Sequence, residues 1–394
     1  MGSNSNPDLL MPQVGSTVSH LEKGDFCVLK VLASGPFSDV FEVLHLESNR
    51  KYAMKVEKEQ GTIRPVLKLD VYVLSQINKN PKNTGFPKLI CAGRTGYYKF
   101  AIMDLVGCDL GKLRRAMPEE RFTLGTAVRV ALQTLDRIQN LHELGWLCRD
   151  VKANNFAIGK RQNRTTVFML DFGFARRYRD LQGHPLPPRS AAALLGTIHY
   201  APMASHYNQE QCRRDDLESW LYMIVEMTGG PLPWANLQPL TQHKIIGEAK
   251  KFIRVGGRIN FFEKCPPGYD EIMDIIDHTS FYERPNYMKI SSILERIMDT
   301  FGVDKNAPLD WQRDNGGLLQ KAFFVEDVEE SHMVSKKTKD NFDFNEKLQS
   351  PSPDELEDSA STVTKQDLEL TQKPERSSSK QIDSLTNYVR KSSK

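Results

Sequence analysis

The sequence predicts an α+β fold of two lobes: a small antiparallel β-rich lobe with one main helix, then a larger, mainly helical lobe. Three observations carry that expectation. Short strand-like runs separated by turn residues fill the first hundred positions, and helical periodicity takes over after Gly107. A polar loop of Asp, Lys and Asn follows the first long helical stretch. At 394 residues the chain has room for such a unit with polar segments on either side.

Residues 1–21 are polar and interrupted by Pro, Gly and Ser, as expected of a mobile arm. Strand-like runs follow at 26–32, 40–44 and 52–56, with Gly35-Pro36 and Ser48-Asn49 as turns between them. The apolar spacing of 66–74 predicts a helix packed on that sheet, and further strands are expected at 88–91 and 98–103. In the second lobe, Val128, Ala131, Leu132, Leu135, Ile138, Leu141 and Leu144 form one stripe over 123–144, and Gly145 ends it. Residues 216–227 are apolar almost all round, as in a helix buried inside a lobe. Helices are also expected at 239–254, 269–279 and 286–300. Beyond about 326, Ser, Thr, Lys, Glu and Asp dominate, the composition of a disordered tail.

A formal net charge of +3 gives no case for nucleic-acid binding, and no long apolar run suggests insertion into a membrane. The six cysteines form no CxxC pair and no metal-ligand spacing, so they read as reduced thiols of an intracellular protein. Gly2 is followed by Asn6 where the myristoylation pattern requires Ser or Thr.

The chemistry concentrates in Cys148-Arg149-Asp150-Val151-Lys152-Ala153-Asn154-Asn155 and in Asp171-Phe172-Gly173. Asp150 can accept the hydrogen bond of a substrate hydroxyl, and Lys152 can neutralise a transferring phosphoryl group. Asn155 and Asp171 offer the hard oxygen ligands that Mg2+ prefers. Val167-Phe168-Met169-Leu170 reads as a buried strand that holds Asp171. Each tripeptide alone is ordinary, an exposed pair or a turn; the full spacing is not.

Upstream, Lys55 ends the third strand-like run, where a lysine would bind phosphates. Asp70 on the following helix is its expected partner, because Glu57 and Glu59 lie too near the strand. Asp is one methylene shorter than Glu, so the helix must come closer. The turn Ala33-Ser34-Gly35-Pro36-Phe37-Ser38 keeps only Gly35 of a G-x-G-x-x-G pattern, an erosion that predicts slowed or lost catalysis.

With these parts in this order, the chain resembles the eukaryotic protein kinases and, within them, the casein kinase 1 group. Gly196-Thr197-Ile198-His199-Tyr200-Ala201-Pro202 with Ser205-His206, Arg213-Arg214-Asp215-Asp216-Leu217-Glu218-Ser219 and Pro231-Leu232-Pro233-Trp234 carry the closer match. Asn155-Phe156-Ala157-Ile158-Gly159, Val66-Leu67-Lys68-Leu69 and Asp310-Trp311 look most like the tau-tubulin kinase branch.

The resemblance implies a bilobal kinase domain over 22–312, followed by a polar tail over 313–394. It implies ATP and Mg2+ as cofactors, with ATP roofed by Leu32 and Val40 and Ala53 in the adenine pocket. Met103 would be the gatekeeper and Asp104, Leu105 and Val106 the hinge. Arg189 and Lys244, with Arg213 or Arg214, would be candidates for a site that reads phosphate or acidic residues on a substrate. Only Tyr178 and Ser190 between Gly173 and Gly196 could be phosphorylated, so activation need not require loop phosphorylation.

Cys148 stands where such loops usually carry His, and cannot supply a histidine's hydrogen bonds; a modest rate loss is the expectation. The reading is a monomeric serine/threonine kinase of protein substrates, cytoplasmic with nuclear access open. The alternative is a weak or inactive pseudokinase acting as a scaffold.

Overall fold

The computed structural model describes residues 11–58 and 65–313. The small lobe is built on one antiparallel sheet of β1 (Thr17–His20), β2 (Gly24–Ser34), β3 (Asp39–His45) and β4 (Arg50–Lys58), then helix α1 (Leu67–Asn78), then β5 (Leu89–Arg94) and β6 (Tyr98–Asp104). The spatial order is β1-β2-β3-β4-β6-β5. β1 corrects the expected arm over 1–21. Thr17 to His20 pair with β2, and Val18 is buried in the sheet core. A four-residue edge strand with one buried apolar side chain leaves no alternation for sequence reasoning to find.

Alternation along the central strands buries Val28, Val43, Met54, Val56 and Ile102 in one cluster. Helix α1 uses two stripes. Leu67 and Val71 pack on Ala101 of the sheet, while Leu69, Val73, Leu74 and Ile77 enter the core of the large lobe. The helix is therefore the main apolar bridge between lobes.

The large lobe continues with α2 (Leu110–Arg115), α3 (Leu124–Glu143), β7 (Trp146–Leu147), β8 (Phe156–Ile158), β9 (Val167–Met169) and β10 (Arg176–Arg177). Two small antiparallel ribbons, β8 with β9 and β7 with β10, carry the loops of the site. Helices α4 (Met203–His206), α5 (Arg213–Gly229), α6 (Pro239–Phe252), α7 (Arg258–Phe262), α8 (Tyr269–His278) and α9 (Tyr287–Thr300) complete it. Helix α5 is buried over most of its length, as its all-round apolar sequence requires.

Helix α3 is capped from far away in sequence. Asp310 accepts from the Thr123 backbone N–H (2.7 Å) and hydroxyl (2.6 Å), while the Trp311 indole packs on Phe122. The architecture is the α+β, two-lobed one expected from sequence. The tail from 314 onward lies outside the described residues.

Candidate active site

Strand β4 delivers a cation to the junction of the lobes. Lys55 Nζ lies 2.6 Å from Asp70 Oδ2 on α1 and 2.9 Å from Asp171 Oδ1, after β9. Asp70 Oδ1 also accepts the Phe172 N–H at 2.9 Å. Burial opposes charge on Lys55, yet the Asp171 and Asp70 carboxylates outweigh it and hold the ammonium above its ordinary range. Burial likewise works against Asp171, but Lys55 and the Gly173 N–H keep that carboxyl below the usual range. Asp70 is pushed upward by burial and by the charge of Asp171, which Lys55 only partly offsets. Glu57, the rival acid, turns instead to the start of α1.

The loop after β7 is anchored through its backbone. Asp216, 1% exposed near the start of α5, accepts from Cys148 N–H (2.7 Å) and Arg149 N–H (2.8 Å). The same carboxylate meets His142 Nε2 at 2.8 Å, and His142 Nδ1 meets the Tyr287 hydroxyl at 2.6 Å. These bonds revise the meaning of Cys148. Its side chain is fully buried, and burial pushes the thiol well above its ordinary pKa, so the thiolate that redox chemistry needs is suppressed. The loop is tied by its amides, whatever side chain stands at 148.

Arg149 and Asp171 both adopt left-handed backbone, with φ of 63° and 62°. Such conformations cost about 1–3 kcal/mol each and persist where surrounding bonds over-determine them. Here the fixed points are Asp216 for the first and Lys55 with Gly173 for the second.

Asp150 is nearly buried and fully engaged. Its Oδ1 accepts from the Thr197 N–H and hydroxyl, both at 2.8 Å, and its Oδ2 lies 2.8 Å from Lys152 Nζ. Lys152 also donates to Thr197 Oγ1 at 2.8 Å, closing a ring of three side chains. The preceding Gly196 has φ of +86°, and a Cβ there would lie 2.5 Å from the Arg149 carbonyl oxygen; only glycine lets this segment approach the loop. Beneath the segment, fully buried Lys250 donates to the Ile198 (3.0 Å) and Ala201 (2.6 Å) carbonyls, within reach of the Tyr222 and Trp234 ring faces.

Asn155 commits its amide NH2 to the Asp150 carbonyl (2.9 Å) and carboxylate (3.2 Å). No bond among the described residues uses Asn155 Oδ1 or Asp171 Oδ2. Two hard oxygens thus remain for a divalent cation that keeps waters and phosphate oxygens as its other ligands, a donor set that fits Mg2+.

The wall of the cleft comes from strand register. Val40 is opposite Lys55 and Ala53 is opposite Met103, so these side chains share a sheet face. Leu32 lies on the neighbouring β2, in its irregular stretch. Beyond β6, Asp104 holds the Lys88 N–H at 3.0 Å, and Gly107 N–H reaches the Ile158 carbonyl, so the segment through Val106 is pinned at both ends. Gly35 donates to the Ser38 carbonyl in the turn, whose Phe37 meets Phe174 edge-on at 5.7 Å.

Of the expected anion-site residues, Arg189 is already paired with a carboxylate. Arg189 engages Glu210 through Nε and Nη2, one edge of its guanidinium, and Arg176 also approaches that carboxylate at 3.4 Å. Lys244 is exposed on α6. Sequence reasoning assigned no role to Thr197, Asp216, His142 or Glu57. Thr197 and Asp216 stood in stretches that carry the family resemblance, Glu57 was weighed only as a rival for Lys55, and His142 left no signal.

Residues 26–294 match the protein kinase domain family. The chain belongs to the protein kinase family. The kinase is 50% identical over 335 residues to the serine/threonine-protein kinase spe-6 of Caenorhabditis elegans, which covers 84% of this chain and 87% of that protein. It is 33% identical over 303 residues to a probable serine/threonine-protein kinase of Dictyostelium discoideum, 77% of this chain and 59% of that one. Casein kinase I homolog 2 of Saccharomyces cerevisiae is 30% identical over 294 residues, 73% of this chain and 52% of the yeast protein. The kinase is thus a divergent relative of casein kinase 1. Protein kinases use ATP and Mg2+ in general, and Lys55, Asp171 and Asn155 are the groups here suited to hold them.

Proposed function

We propose that this kinase transfers the γ-phosphoryl group of ATP to serine and threonine hydroxyls of protein substrates. The observation that carries the reading is the pair of charge clusters at the lobe junction. One is Lys55 between Asp70 and Asp171; the other is Asp150 with Lys152 and Thr197. Lys55 would hold the non-transferred phosphates, and Asp171 with Asn155 would hold Mg2+, which when bound neutralises phosphate charge. Asp150 would orient the acceptor hydroxyl and take its proton late in transfer, and Lys152 would offset charge on the moving group. The names of the relatives support Ser/Thr rather than Tyr as acceptor. Six free thiols suit a reducing compartment, and we infer a cytoplasmic monomer. An acidic or prephosphorylated substrate preference would need Arg189 to exchange Glu210 for the substrate.

The test compares the full chain with Lys55→Met, Asp150→Asn and Asp171→Asn on a mixed protein substrate. Wild type is expected to incorporate phosphate on Ser and Thr, and each variant to lose about 100-fold or more in kcat/KM. Equal incorporation by all four, or none by the wild type, overturns the reading. A scaffold that merely binds nucleotide would instead show a MgATP thermal shift without transfer.

A further inference from the structure

Lys55 and Glu57 stand two residues apart on β4 and so leave the strand on the same face. Each meets α1 at a different turn. Glu57 Oε2 accepts the backbone N–H groups of Val66 (2.7 Å) and Leu67 (2.8 Å) at the helix start, and Lys55 meets Asp70 one turn further along. Glu57 is 1% exposed, and α1 has no N-terminal side-chain cap of its own. A buried carboxylate there satisfies donors that the helix cannot satisfy and faces the positive end of its dipole. Lys99, opposite Glu57 in register on β6, approaches its other oxygen at 3.9 Å.

We propose that Glu57 is a positioning residue that sets how close α1 stands to β4, and so lets the short Asp70 side chain reach Lys55. The spans match. Three to four helical residues rise about 4.5–6 Å, and two strand residues advance about 6.6 Å. Both contacts therefore form together when the helix lies along the strand. With one of them removed, the helix pivots about the other. Glu57 thus fixes a distance, and Asp70 is the side chain cut to that distance. The inference rests on the kinase reading, since Lys55 matters through the phosphates it would hold.

The test uses the full chain as wild type, Glu57→Gln, Asp70→Glu and the double variant. Two readouts apply: amide hydrogen exchange across α1, and kcat with KM for MgATP and for a protein substrate. Glu57→Gln is expected to speed exchange at residues 66–70 about tenfold while α3 and α5 stay protected, and to lower kcat about tenfold with KM for the protein substrate within about twofold. Asp70→Glu alone is expected to lower kcat about fivefold, because the anchored helix stands too close for the longer acid. In the Glu57→Gln background the same change is expected to recover at least about half of the loss, because the freed helix can retreat. Additive losses in the double variant, or α1 exchange unchanged in both Glu57→Gln and Glu57→Leu, overturn the proposal. Glu57→Leu, which removes every acceptor, repeats the exchange arm should Gln keep both contacts through its carbonyl oxygen. An inactive wild type would remove the kinase reading and leave the exchange result to judge Glu57.

Discussion

The two halves of the site are held by different kinds of bond. In the large lobe, Asp216 gathers two backbone amides and His142 in a fully buried position, so the loop bearing Asp150 is tied through peptide groups every residue possesses. In the small lobe, Lys55 is held between Asp70 and Asp171 by side chains alone. A backbone anchor tolerates a change of side chain, and Cys148 is such a change. A side-chain anchor feels every methylene, and Asp70 is a methylene short of the usual acid. The two departures look alike in sequence and differ in structural consequence.

The strongest way to break the comparison is Asp216→Ala. It strands two amide donors and His142 in the core, and a loss of about 3–5 kcal/mol in unfolding free energy is expected, read by urea denaturation. A loss under about 1 kcal/mol would mean that the loop has another anchor.

Next in size is Lys55→Met, which leaves Asp70 and Asp171 facing each other without their cation. A loss of about 1–3 kcal/mol is expected at pH 7, shrinking as pH falls below 3.8, where Asp171 takes up its proton. The signs follow from the shifts. Asp171 sits below its ordinary 3.8 in the folded protein, so its stabilisation is complete above that value and is lost as pH falls through the depressed one. Lys55 sits above its ordinary 10.5, so its contribution is complete below 10.5 and lost only as pH rises through the raised value. A variant-to-wild-type difference that stays constant from pH 5 down to pH 2 would remove the ion pairs from the account.

The smallest effect is expected at Cys148. Cys148→Ala should cost about 1 kcal/mol through lost packing and leave kcat within about twofold, while the native thiol resists alkylation at pH 8. A large rate loss would show that the side chain at 148 shapes the loop after all.

The residues that would touch phosphate, metal and hydroxyl were legible because their chemistry dictates type and spacing over a short stretch, as Asp150, Lys152, Asn155 and Asp171 show. Asp70 was legible because the helix places it within reach of Lys55. The supports were not. Thr197 reaches Asp150 across 47 positions, and Asp216 reaches the loop across 67 and 68. Both residues stand in stretches that carry the family resemblance, but nothing local tells which distant group each will hold. Glu57 was visible but read only as a rival for Lys55, since nothing in the sequence reveals that a strand acid will turn toward the first amides of the next helix. Arg189 was visible too, and its carboxylate partner, 21 residues away, was not. Helices α3, α5, α6, α8 and α9 were legible nearly to their ends because each buries a stripe or, in α5, almost its whole surface, whereas the short α2, α4 and α7 were not read from the sequence.

The bond from Asp310 to Thr123 spans 187 positions, and it sets an order of events during synthesis. At about 5–20 residues per second, helix α3 exists as nascent chain for roughly 10–40 s before its terminal acceptor leaves the ribosome. Through that interval the Thr123 amide and hydroxyl lack this acceptor. The large lobe therefore closes late, and a ribosome stalled shortly before codon 310 would hold a catalytic loop already translated on a lobe still open at one end.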